Sequence, residues 1–136
     1  MRETIVFLPG AMCDARAFGP QLADLSRDFA VMVAPVTMGE RVEEIASNLL
    51  DLLPKRCALA GHGLGGIVAM EVIRRAPDRV SRLALMDCTP LADTPQQAAE
   101  RDPRIIRAKA GKLADALREE FPTSILSPGP YAGEIM

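Results

Sequence analysis

The run Cys57-Ala58-Leu59-Ala60-Gly61-His62-Gly63-Leu64-Gly65-Gly66 has the spacing of a reactive turn whose reactive atom is missing. A short apolar stretch ends in small-x-Gly-x-small, and an amphipathic helix is predicted to follow through Ala76. This is the layout of a nucleophile elbow, a sharp strand-to-helix turn that lifts one side chain above a parallel sheet. Small residues on either side let strand and helix approach closely, and the central residue is held in a strained backbone conformation. Here that residue is Gly63, which carries no nucleophile. The layout points to covalent catalysis, and its central residue points away from it.

The companion groups are sparse. Attack by a side-chain hydroxyl needs a base to take its proton and an acid to orient that base. His62 is the only histidine and sits beside the elbow centre. No neighbour in sequence marks it as a base, so a structural or pocket-lining role is expected. Asp87 closes the following strand, a position where aspartates commonly cap loops by binding backbone amides. Cys13 and Cys88 fall at two loop ends expected to converge near the elbow. A thiol nucleophile there would need a base or a helix N-terminus to lower its pKa, and no histidine is free for that task. The residues show no metal-type cluster, and no cofactor is expected. A rival reading uses the same glycines: Gly61-His62-Gly63-Leu64-Gly65-Gly66 satisfies Gly-x-Gly-x-x-Gly after a strand and before a helix. Asp87 then lies about 20 residues on, where a dinucleotide-binding fold places its ribose acid. Against it, that fingerprint usually belongs to the first strand of its unit, whereas two strand-helix units precede it here. The Leu8-Pro9-Gly10-Ala11 loop also has no task in that reading.

The elements that must position these groups alternate. Strands are predicted over 4–8, 30–36, 57–61 and 82–87, and helices near 15–28, 41–53 and 65–76. The first helix shows Phe18, Leu22, Leu25 and Phe29 at helical spacing, and the second Val42, Ile45, Leu49, Leu52 and Leu53. Pro54 and Pro77 act as stop signals. Such alternation predicts an α/β fold, a parallel sheet flanked by helices on both faces. After Asp87 the composition changes to a turn-rich link over 89–95. Two helical stretches near 95–110 and 112–121 follow, and Ser127-Pro128-Gly129-Pro130-Tyr131 is a structure breaker. The expected division is a core over 1–90 and a helical segment over 91–136. Met32, Met38, Met70 and Met86 are expected to fill the core or a pocket.

Composition bounds the function classes. With 49% hydrophobic and 25% charged residues, the chain has the make-up of an ordinary globular domain. A net charge of -2 supplies no electrostatic reason to expect nucleic acid or an anionic membrane as partner. No apolar run approaches the roughly 20 residues needed to cross a bilayer. The start, Met1-Arg2-Glu3-Thr4, runs into a strand without the apolar core of a signal peptide. Three cysteines, an odd number without close pairing, predict free thiols in a reducing compartment, with the cytoplasm as the expected location.

Taken together, these segments resemble the N-terminal half of an α/β-hydrolase fold protein. Its elbow usually reads Gly-x-Ser-x-Gly, often Gly-His-Ser-x-Gly-Gly. Ile5-Val6-Phe7-Leu8-Pro9-Gly10 is similar to the strand that feeds the oxyanion loop, and Ala30 to Val36 to the next strand. Arg82-Leu83-Ala84-Leu85-Met86-Asp87 is similar to the strand after the elbow helix, with Ala76-Pro77-Asp78-Arg79-Val80 as the usual link. The likeness covers nearly the whole chain. It implies a serine at position 63 in the complete pattern, with the backbone N–H groups of Ala11 and Leu64 as oxyanion donors. It also implies a pocket lined by Gly10, Met12, Cys13, His62 and Cys88. Some family members place their triad acid where Asp87 stands. The segment 91–136 corresponds to the start of a helical cap, and the last strands, with the usual acid and histidine, do not follow. The implied lineage chemistry is hydrolysis of an ester, or of a related acyl or carbon-carbon bond, in a small molecule. Without elbow serine or triad histidine, the chain is expected to be catalytically incomplete. The alternatives are a non-catalytic scaffold for a ligand or partner and the dinucleotide-binding domain. A strand 82–87 lacking its usual neighbour would leave a row of backbone groups open to a second copy or a complementing chain.

Overall fold

A computed structural model of the protein describes residues 3–122. The breaker at 127–131 lies outside the described residues. In chain order come β1 (Thr4–Leu8), a 3-10 turn (Ala15–Phe18), α1 (Gly19–Leu25), β2 (Ala30–Val33), α2 (Val42–Leu52), β3 (Cys57–His62), α3 (Leu64–Arg75), a second 3-10 turn (Pro77–Arg79) and β4 (Val80–Met86). Among the described residues the strands make one parallel sheet in the order β2-β1-β3-β4. The register sets Leu8 beside Gly61 and His62 beside Met86. The carboxyl ends of β1, β3 and β4 therefore finish level, and the loops leaving them adjoin.

Both faces of the sheet are covered, which is why β1 reads as a continuous apolar run and not as an alternation. Val6, Leu8, Cys57 and Leu59 face α2 and α3 and pack with Ile45, Leu49, Val68 and Val72. On the opposite face Phe7 and Ala60 pack with Phe18, supported by Leu22 and Leu25. The Phe7 and Phe18 rings sit 4.8 Å apart between centroids. Leu49 and Leu59 are almost wholly excluded from water. Truncating either to alanine is expected to cost about 2–5 kcal/mol.

Several elements differ from their sequence expectation for identifiable reasons. The first helix is two pieces. Asp14 caps the 3-10 turn, its carboxylate accepting from the Arg16 amide at 2.9 Å. Pro20, lacking an N–H, then starts α1 afresh. The helix ends at Leu25, and Phe29 falls beyond it, exposed. At the end of α2, Leu53 leaves helical geometry at φ -68, ψ 145 and turns into the core, while Leu52 remains on the solvent side. β2 stops at Val33, although Ala34 and Val36 continue into the core. β4 begins at Val80 because the Pro77–Arg79 turn delivers the chain directly to β3. Met32 packs against the core as expected, but Met86 lies on the last strand of the sheet and is exposed.

Arg79 secures the far end of α2. Its Nη2 donates to the carbonyls of Leu50, Leu53 and Pro54 at 3.1, 3.0 and 3.0 Å. These include carbonyls left without helical partners where α2 ends.

The chain divides into two compact units at the Pro90–Leu91 junction. In the second unit α4 (Pro95–Lys109) starts with a capping box. Thr94 Oγ1 accepts from the Gln97 amide at 3.2 Å, and Gln97 Oε1 accepts from the Thr94 amide at 2.9 Å. Gly111, at φ 84, takes the left-handed position that ends α4. α5 (Leu113–Glu120) folds back on α4 through the Arg104–Glu120 and Arg107–Glu119 ion pairs. Among the described residues of this unit, only Ala116 is buried.

Candidate active site

β3 runs to His62, and Gly63 turns the chain into α3. Gly63 sits at φ 53, ψ -119, a left-handed conformation that side chains disfavour. Its carbonyl accepts from the amides of Gly66 and Ile67 at 3.0 and 3.2 Å, opening the helix. Its N–H donates to the Met86 carbonyl at 2.9 Å, which ties the turn to the end of β4. The close approach predicted for the flanking glycines is present. A Cβ on Gly65 would lie 2.1 Å from the Leu8 carbonyl oxygen, so α3 rests directly on the end of β1. At Gly63, by contrast, a Cβ would meet only the Gly10 Cα, at 3.7 Å. There is room for a side chain at this turn, and the sequence supplies none.

The loop after β1 begins with buried Pro9 and Gly10, emerges at Ala11 and Met12, and closes where the Cys13 amide donates to the Gly10 carbonyl at 3.1 Å. Met12 is 64% exposed and holds φ 59, unusual for a residue with a side chain. Leu64 is the first residue of α3, where N–H groups have no acceptor within the helix. Asp87, just past β4, also holds a left-handed φ, of 50. Its Oδ2 stands 3.8 Å from His62 Nε2. The other ring nitrogen of His62 faces Gly10, where a Cβ would be only 2.8 Å from Nδ1. Cys88 is half-buried, its Sγ 2.4 Å from where a Cβ of Gly66 would stand. Cys13 is exposed.

The ends of three strands thus bring Gly10, His62, Gly63 and Asp87 together, with Cys88 over the first turn of α3. Sequence reasoning named each residue but missed that His62 and Asp87 are neighbours, since 25 positions separate them in the chain. It also missed the left-handed Met12 and Asp87, which no glycine or asparagine announced. Chemically, the turn offers a strained centre, a helix N-terminus and an imidazole whose Nε2 is 3.8 Å from an exposed carboxylate. It offers no hydroxyl.

A sequence model of the alpha/beta hydrolase family matches residues 5–134. The chain belongs to the alpha/beta hydrolase family. Among curated relatives, it is 28% identical over 133 residues to a pimeloyl-[acyl-carrier protein] methyl ester esterase of Nitrosospira multiformis, covering 90% of this chain and 49% of that protein. It is 33% identical over 87 residues to the sn-1-specific diacylglycerol lipase ABHD11 of Mus musculus, covering 54% of this chain and 28% of that one. The fold superposes on a hydrolase from Pseudomonas aeruginosa with a TM-score of 0.74 at 22% identity, over 98% of this chain and 57% of the other. The chain spans about half the length, or less, of the curated relatives it matches. No helix among the described residues is long and apolar enough to cross a membrane.

Proposed function

We propose that this chain carries a hydrolase site for an ester, or a related acyl or carbon-carbon bond, in a small molecule, and that in its present form the site binds without turning over. The observation that carries the reading is Gly63, a left-handed elbow centre with space above it and no nucleophile. The Ala11 and Leu64 amides, one after Gly10 and one at the head of α3, are the proposed oxyanion donors. Gly10, Met12, His62 and Cys88 line the proposed pocket, and Cys13 flanks it. His62, the only histidine, packs its ring against Gly10, which favours a structural role over that of a general base. The matched methyl ester esterase and diacylglycerol lipase bear names of ester chemistry, which supports the acyl substrate class. The test uses purified chain with short activated esters and a fluorophosphonate probe. No turnover above a protein-matched background and no labelling are expected. Turnover abolished by Cys13→Ala or Cys88→Ala would replace this reading with a thiol mechanism.

A second reading adds a partner at the sheet edge. Leu83 and Leu85, large apolar residues of β4, are 39% and 43% exposed. Among the described residues β4 pairs on one side only. Such an edge favours a second copy or a complementing chain. The dinucleotide reading is weaker. The glycine fingerprint follows β3, after two strand-helix units and not at the first strand of its unit, and a saturable thermal shift with NAD or NADP, lost in Asp87→Ala, would revive it.

A further inference from the structure

We propose that His62 is a positioning residue that couples the loop after β1 to the loop after β4, so that neither shifts without the other. Its side chain leaves the end of β3, which lies between those strands in the sheet. Toward β1 the imidazole occupies the space beside Gly10. A Cβ there would stand 2.8 Å from Nδ1 and 3.3 Å from Cε1, tighter than non-bonded atoms pack. Toward β4 its Nε2 lies 3.8 Å from Asp87 Oδ2. One ring therefore touches both loops. The Asp87 contact is open to water, so it adds little stability and serves chiefly to orient the ring. The contact at Gly10 acts by volume.

What the ring holds in place is strained. Met12 in one loop and Asp87 in the other both keep a positive φ. Each such conformation is disfavoured for a residue with a side chain and persists only where the surroundings enforce it. The elbow has its own restraint, the bond from the Gly63 N–H to the Met86 carbonyl, and does not depend on the ring. His62 thus governs the flanking loops and not the turn itself. One consequence rests on the proposed function: Ala11 follows Gly10, so the aim of its amide depends on His62. The coupling does not rest on that reading and is tested apart from it.

The three cysteines make the test internal. Cys13 lies in the loop after β1, Cys88 in the loop after β4, and Cys57 is buried in the core as a monitor of global unfolding. The measurement is the tumbling rate of a nitroxide attached at Cys13 or at Cys88 in the full chain, since Cys13 is exposed and its alkylation is already unhindered, with iodoacetamide protection of Cys57 as the folding control. In His62→Ala the rates at Cys13 and Cys88 are both expected to rise several-fold while Cys57 stays protected. An unchanged rate at either loop cysteine, with Cys57 protected, overturns the coupling. If His62→Ala exposes Cys57, two conservative variants decide. His62→Phe keeps a ring against Gly10 and loses Asp87, so Cys88 should quicken and Cys13 should not. His62→Gln keeps a donor for Asp87 and loses the ring, so the order should reverse. That crossover supports the proposal, and parallel behaviour of the two labels in both variants overturns it.

Discussion

Gly63 and Gly65 stand two positions apart and are needed for different physical reasons. At Gly65 the obstacle is volume, because a methyl group would be driven into the Leu8 carbonyl. At Gly63 the obstacle is conformation alone, because φ is 53 and the nearest atom to an added Cβ is 3.7 Å away. The two substitutions should separate in urea melts. Gly63→Ser is expected to lose about 1–3 kcal/mol, the cost of a side chain in a left-handed position. Gly65→Ala is expected to lose more, because α3 must move off β1. Equal losses would mean that the elbow relaxes far more freely than its contacts imply. Gly63→Ser should also remain unlabelled by a fluorophosphonate, since the one imidazole is turned to Asp87 and Gly10. Rapid labelling would show that His62, or a partner subunit, acts as base.

Helix α3 presents a charge cluster near its C-terminal end whose response to pH has a definite sign. Glu71 receives hydrogen bonds from Arg74 at 2.7 and 2.8 Å and from Arg75 at 2.7 Å. These donors, Arg74 first, hold its carboxyl down at about 2, against an ordinary value of 4.5. A depressed carboxylate favours the folded state above its unfolded pKa and ceases to do so as protons bind. The contribution of Glu71 is therefore complete above pH 4.5, declines as the pH falls toward about 2, and is absent below that. Urea midpoints measured across this window should fall less steeply in Glu71→Gln than in the parent. The difference should shrink in high salt, as expected for a cluster in contact with solvent. Identical slopes in the two proteins would mean that the cluster contributes nothing to stability. α2 depends on another element in a different way, since Arg79 closes its C-terminal end from the turn before β4.

For the whole molecule, the prominent feature is the asymmetry of the sheet. β1 and β3 are buried on both faces, whereas residues 82–86 of β4 are all exposed. If the edge is a docking surface between copies, sedimentation of the chain should depend on concentration. Leu85→Lys should then yield a monomer with unchanged far-UV circular dichroism, because a charge on the strand discourages edge pairing. A chain that stays monomeric at all concentrations would remove the second copy and leave a complementing chain as the occupant to seek.

The fold class was legible in the chain because local signals agreed. Apolar runs of strand length alternated with helical periodicity, and Pro54 and Pro77 marked boundaries close to those observed. The tight turn from β3 to α3 was legible because its requirement for small residues is met by neighbours in sequence: Gly61, Gly63, Gly65 and Gly66 sit where strand and helix touch. The glycine at position 63 needed no structure to identify. Other features depended on contacts between strands that the chain does not place side by side. Nothing near His62 in sequence announces Asp87 or Gly10, because the register of β1, β3 and β4 alone aligns their ends. Phe29 and Leu52 followed the helical spacing and still faced water, Phe29 because α1 stops at Leu25 and Leu52 because it falls on the solvent side of the last turn of α2. Met86 is apolar in sequence and exposed in the sheet, because burial depends on what lies beside a strand, and composition does not record neighbours.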